Sequence, residues 1–259
     1  MNSGGSFFNS SIGRKILMAL SGLILVGFVI GHLVGNLQVF QGPDHLNGYA
    51  AFLHNLGPLL WLARLGVIAA VLVHVWAATV LTIENKVARG PEQYGIKHTI
   101  RATLSSRTMR MTGYVVLAFL LFHLAHFTLG YAETGTFKGN IPQYALQSDY
   151  RVAGLVAVPA SVGNVDDVYN MVVLGFQNLI VSVFYVIAVG LLSLHLLHGF
   201  DSAFQTLGLR SGRWAGGLRV VTILFCTVYF LGNLAIPGAV LAGKLQPRTA
   251  AVASAPSHH

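Results

Sequence analysis

Five stretches of the chain are membrane-length and nearly free of charge, and the loops joining them are polar and in part strongly basic. A bilayer core is crossed by about 20 apolar residues in a helix that rises about 1.5 Å per residue. The pattern predicts spans over about 15–39, 58–83, 110–129, 172–200 and 218–241. Pro58 stands at a first-turn position, where its missing N–H costs nothing. The expected fold class is therefore an all-α membrane protein of five transmembrane helices, with one transmembrane domain over 14–241. A polar, Gly-rich surface lead (1–13) precedes it, and a low-complexity tail (242–259), expected to be disordered, follows it.

Composition removes the soluble alternative. Hydrophobic residues make up 54% of the 259 and charged residues 9%, against about 25% charged in soluble domains. The net charge of +8 would raise the question of nucleic acid in a soluble protein, but here its placement reads as topology. Arg14, Lys15, Lys86, Arg89, Lys97, Arg101, Arg107, Arg110, Arg210, Arg213 and Arg219 are eleven of the 16 Lys and Arg, and all fall on one side. The other side holds Lys138, Arg151, Lys244 and Arg248, with Arg64 a little way into the second span. The positive-inside rule puts the N-terminus inside and, after five crossings, the C-terminus outside. The apolar run after Arg14 and Lys15 is too long for a signal-peptide core, and no Ala-x-Ala site closes it.

The outer segment 131–171 is too polar to span and too long for a plain connection. Short re-entrant or surface helices are expected there, around Gln143–Val158. Cys226 is the single cysteine, so any iron–sulfur centre would belong to a partner.

Histidines interrupt the apolar spans, and ionisable groups at that depth usually have work to do. Measured from the inner end by helical rise, His195 lies at about 9 Å, His74 at about 15 Å, His123 at about 20 Å, His126 at about 24 Å and His32 at about 27 Å. His74 and His195 thus share the inner half, and His32 shares the outer half with His123 and His126. Two bis-histidine iron sites at two depths form an electron path across a membrane. Zinc would want four ligands at one depth. Depth alone slightly favours His126 over His123 as the partner of His32. Gly27, Gly31 and Gly35 around His32, and Gly66 on the face of His74, suit either close helix packing or room for a porphyrin. Asn36, one turn beyond His32, is a candidate donor to the site.

Four motifs carry a family resemblance: GHLVGN with His32, LVHVWAA with His74, RMTGYVVLAFLLFH ending at His123, and FYVIAVGLLSLHLLHG with His195. In order and spacing, over about residues 10–241, they resemble the single-polypeptide dihaem cytochrome b anchor of the succinate dehydrogenase/fumarate reductase family (the cytochrome b558 type). The resemblance implies two haem b groups, with His32 and His123 as axial ligands of the outer and His74 and His195 of the inner. It favours His123 over His126 through its distance from Gly113. It further implies a prokaryotic inner (cytoplasmic) membrane and a place in the respiratory chain and tricarboxylic acid cycle. A flavoprotein subunit with FAD and an iron–sulfur subunit would dock on the inner face, electrons would pass to membrane quinone (menaquinone or ubiquinone), and a higher oligomer of the complex is compatible. The chain itself would carry no dicarboxylate site. His126, His198 and the long 131–171 segment depart from the family's compact form.

A quinone site needs a lipid-accessible pocket with a few polar groups near a haem. His45, Tyr49, His54, Asn55 and Arg64 are the candidates. A guanidinium as deep as that of Arg64 wants a partner, either a haem propionate or a quinone carbonyl. Arg110, with Arg107, Arg213 and Arg219, is a candidate for the inner-haem propionates. Two other readings stay open: the cytochrome b anchor of a different quinone-linked oxidoreductase, and a haem-free transporter or structural membrane protein.

Overall fold

The computed structural model describes residues 7–90 and 103–248, with Arg89 described by its backbone alone. Lys97, Arg101, the first six residues and the tail beyond Arg248 lie outside the described residues.

Five helices are long and apolar enough to cross a membrane, and the chain is a multi-pass, predominantly α-helical membrane protein. Helix α1 is Ser11–Asn36, continued by a 3-10 turn at Leu37–Gln41, and a shorter helix α2 (Pro43–Asn55) follows. The remaining long helices are α3 (Pro58–Arg89), α4 (Leu104–Phe127), α6 (Leu179–Thr206) and α7 (Ala215–Leu241). A ten-residue helix, α5 (Val168–Gln177), precedes α6. Val172 therefore lies in α5, not at the start of a span. The break falls at Asn178, whose side-chain oxygen accepts from the N–H of Ile180 at 3.0 Å and so caps α6. Ser10 begins α1 in the same manner, accepting from Gly13 N at 3.0 Å.

The chain divides into two compact units, each taking part of every long helix. The first holds Met1–His32, Trp61–Val116 and Gly190–Phe230. Among its described residues Arg14 pairs with Glu84 at 2.6 Å and Arg210 with Asp201 at 3.1 Å. Helices α6 and α7 meet where Gly190 faces the Phe230 ring and where Phe200 meets Phe225.

The second unit holds Leu33–Leu60, Leu117–Val189 and Leu231–His259. Here the expected surface helices around Gln143–Val158 are replaced by strands. Strands β2 (Tyr150–Val152) and β3 (Leu155–Val158) form an antiparallel hairpin, while β1 (Tyr144–Ala145) pairs with β4 (Asn164–Val165). The reason is local. Ala153 and Gly154 both take positive φ, 50° and 83°, the two-residue turn that matches strand twist. The flanking Tyr and Val residues favour the pleated surface.

Tyr144, Leu146, Tyr150 and Val158 form the core of this cap, with Tyr49 and Phe52 of α2 packed against them. Gly48 is required at that contact, because a Cβ there would come within 2.5 Å of the Tyr150 side chain. Polar ties complete it. Asp44 accepts from Gln147 N at 2.9 Å and Ser148 Oγ at 3.0 Å. Buried Asn47 donates to Asp167 at 3.1 Å and accepts from Tyr169 N at 2.8 Å. Lys138 pairs with Asp166.

Candidate functional site

The sharpest polar arrangement in the first unit joins His74 of α3 to His195 of α6. Their rings lie edge to face, with centroids 6.3 Å apart and planes at 65°. Two imidazoles bonding one metal from opposite sides at about 2 Å place their ring centres about 6 Å apart.

The protons follow from the neighbours. His74 Nδ1 lies 3.1 Å from the Met18 carbonyl oxygen. A carbonyl can only accept, so Nδ1 carries the proton and Nε2 keeps its lone pair. Ser21 Oγ, which donates to Leu17 O at 2.7 Å, adds an acceptor 3.4 Å from the same Nδ1. His195 repeats the device. Thr112 Oγ1 lies 3.3 Å from its Nδ1. Thr112 donates its own proton to Met109 O at 3.0 Å, leaving its lone pairs for the imidazole. Orientation of this kind is what a metal-bound histidine receives from its surroundings.

Glycine completes both halves. A Cβ on Gly22 would come within 3.3 Å of His74 Cε1, and one on Gly113 within 3.5 Å of His195 Cε1. The two supports match as sequence: Met18-Ala-Leu-Ser21-Gly22 on α1 and Met109-Arg-Met-Thr112-Gly113 on α4. Spacing of three and four residues puts the carbonyl, hydroxyl and glycine of each on one helix face. This pair of segments was missed in the sequence, although a search for repeated Met-x-x-[Ser/Thr]-Gly at the level of the histidines would find it.

In the second unit, His126 and His123 of α4 both face Tyr185 of α6. The Tyr185 hydroxyl lies 3.0 Å from His126 Nδ1 and 3.4 Å from His123 Nδ1. His126 is 2% exposed and stacks on Phe127 at 3.9 Å. Its Nε2 has no hydrogen-bond partner among the described residues and presses on Gly175, where a Cβ would come within 3.0 Å of it. His123 is half-buried, with Phe119 and Phe127 beside its ring. Tyr185 was not a sequence candidate; a tyrosine in mid-span, ten residues before His195, was the available signal.

His32 belongs to the first unit, half-buried and stacked on Phe28 at 5.4 Å. Gly27, Gly31 and Gly66 face open space, whereas Gly35 packs on the Tyr49 ring. His45 borders an open cavity of about 690 Å³ that includes Asp44, Tyr144 and Lys244. It also borders a second of about 500 Å³, with Val34, Leu37, Gln38 and Arg151. Tyr49 is taken up by Gly35 and Tyr150, and His54 and Asn55 are exposed at the end of α2. The Arg64 guanidinium lies 5.0 Å over the Trp61 ring, a cation–π contact. Arg107, Arg110, Arg213 and Arg219 are all exposed.

No family model, curated protein or solved structure matches this chain. Among the described residues no three of His, Cys, Asp and Glu converge as a metal site. A two-imidazole donor set is what haem iron takes, since the porphyrin supplies the remaining ligands.

Proposed function

We propose that the chain is a dihaem cytochrome b, the membrane anchor through which a succinate:quinone oxidoreductase passes electrons between an iron–sulfur partner and membrane quinone. The observation that carries this reading is the His74–His195 pair: rings 6.3 Å apart, with Nδ1 of His74 tied to Met18 O and Nδ1 of His195 set 3.3 Å from Thr112 Oγ1, whose own proton goes to Met109 O. Both Nε2 lone pairs are thereby left for one metal. Haem b, when bound there, would supply one-electron exchange.

The protein's own part is orientation and exclusion. The carbonyls and hydroxyls of α1 and α4 fix each imidazole's tautomer, and Gly22 and Gly113 keep side chains off the rings. The second haem takes His123 and, on the sequence argument alone, His32. His126 is left out because both its nitrogens are occupied or walled in.

Quinone is assigned to the smaller His45 cavity, whose size falls within the range of small-molecule sites. Val34 and Leu37 supply apolar walls there, and His45, Gln38 and Arg151 supply hydrogen bonds. The inner basic loops would dock the flavoprotein and iron–sulfur subunits, with the N-terminus inside a prokaryotic cytoplasmic membrane.

The test is a reduced-minus-oxidised spectrum of the complex purified from its own membranes, with its subunits identified. Two b-type α-bands with a flavin and iron–sulfur partner are expected. His74→Ala and His195→Ala should each remove the same haem. A spectrum without b-type bands overturns the reading in favour of a haem-free protein. Haem with a molybdenum or nickel partner reassigns the chain to another quinone-linked oxidoreductase.

A further inference from the structure

We infer that Tyr185 and His126 form a hydrogen-bonded chain behind His123 that fixes its tautomer and tunes the iron it binds, making both of them positioning residues. This rests on the proposed role of His123 as a haem ligand.

The direction of the chain follows from the chemistry of each member. An imidazole that bonds iron through Nε2 carries its proton on Nδ1. His123 Nδ1 is therefore the donor to the Tyr185 oxygen at 3.4 Å. The phenol has one proton to give, and the remaining neighbour is His126 Nδ1 at 3.0 Å, which must accept. His126 is then the neutral Nε2–H tautomer. That N–H is the buried group without a partner, set against Gly175. The reverse polarity would put the His123 proton on Nε2 and forbid the iron bond.

Packing holds the chain rigid. Tyr185 is 6% exposed and His126 2%. Phe119, Phe122, Phe127, Phe176 and Phe184 all set rings within 6.2 Å of the Tyr185 ring. In such surroundings successive hydrogen bonds polarise one another. Donation from His123 Nδ1–H to Tyr185 makes His123 a stronger electron donor to iron and stabilises the ferric state. Donation from Tyr185 to His126 makes the phenol oxygen a better acceptor and strengthens the first bond.

The experiment is potentiometric titration of both haems, with low-temperature electron paramagnetic resonance, in the intact complex carrying Tyr185→Phe, His126→Leu or His126→Asn. Asn Oδ1 stands as many bonds from the backbone as His Nδ1 and can accept from the phenol. In Tyr185→Phe the His123 haem should be about tenfold easier to reduce, about 59 mV upward for one electron. His126→Leu should move it in the same direction by less, and His126→Asn should restore most of the wild-type potential. The His74–His195 haem should not move.

Unchanged potentials in Tyr185→Phe and His126→Leu, at full haem content, overturn the inference. So does equal loss of the His123 haem from His126→Leu and His126→Asn, because His126 would then act through packing alone. A wild-type complex without haem is a different failure, that of the functional reading itself.

Discussion

Gly22 stands against His74 so closely that a Cβ would lie 3.3 Å from the imidazole Cε1, while the matching gap from Gly113 to His195 is 3.5 Å. The difference is small but decides what each site tolerates. At 3.5 Å a methyl group is in ordinary contact, so on the proposed dihaem reading Gly113→Ala should keep both haems. At 3.3 Å the ring must yield by a few tenths of an ångström, so Gly22→Ala should keep the haem with an altered ligand-field spectrum. A valine at either position brings a γ-carbon onto the ring and should remove the inner haem, halving the b-type absorbance. Full haem in Gly22→Val would mean that the His74 ring does not depend on the close contact with Gly22.

The depth ordering that paired His74 with His195 was legible because helical rise converts residue counts into heights. The supports were not, because they depend on rotation as well as height. Met18, Ser21 and Gly22 look like any small or apolar membrane residues until α1 is turned to face α3. Helix periodicity could not separate His123 from His126, because positions three apart share a helix face; what distinguishes their surroundings, the Tyr185 hydroxyl and Gly175, lies on other helices. Five apolar helices were readable from run length. The hairpin at 150–158 was not read, since the expectation of a helix gave no weight to Ala153-Gly154 as a two-residue turn.

Gly175 is where α5 admits His126. A Cβ there would come within 3.0 Å of Nε2 and 3.2 Å of Cε1, and the ring is held on its other face by Phe127 at 3.9 Å. It cannot move without leaving Tyr185. Gly175→Ala should therefore destabilise the protein by about 1–3 kcal/mol, the range for overpacking. It should also reproduce part of the His126→Leu shift in potential. Thermal unfolding followed by tyrosine fluorescence in detergent checks the first effect. An unchanged midpoint temperature would mean that α5 gives way more easily than its packing indicates.

Asn47 is wholly buried and ties α2 to α5 with both ends of its amide. Asn47→Leu keeps much of the volume but strands the Tyr169 N–H and removes a donor from Asp167, itself 3% exposed. A stranded buried polar group costs about 1–3 kcal/mol, and more when it is charged. Limited proteolysis should cut the 131–171 segment at least tenfold faster in the variant, with haem content unchanged. Adding Asp167→Asn should recover part of the loss by removing a buried charge that has lost one of its three hydrogen-bond donors and keeps only those from Asn170.

Tyr144 makes the stability of the outer cap sensitive to alkali. Burial, then its hydrogen bond to Asp44 and the nearby charges of Asp44 and Asp167, push its phenol up to about 12, with Arg248 pulling the other way. A free tyrosine titrates at about 10. The unfolded cap therefore loses this proton first as pH rises, and where the unfolded state holds fewer protons stability falls with pH. The contribution is complete below about pH 10 and is lost progressively as pH approaches 12. Tyr49 is raised as well, by burial and then by Tyr150, so the wild-type slope has at least two sources. Tyr144→Phe removes one of them: the variant should be less stable at pH 8, having lost the Asp44 hydrogen bond, yet decline less steeply from pH 10 to 11.5. Proteolysis rates of the 131–171 segment across that range measure both effects. Parallel pH profiles for the two proteins would show that the Tyr144 phenol ionises in the folded cap as easily as it does in water.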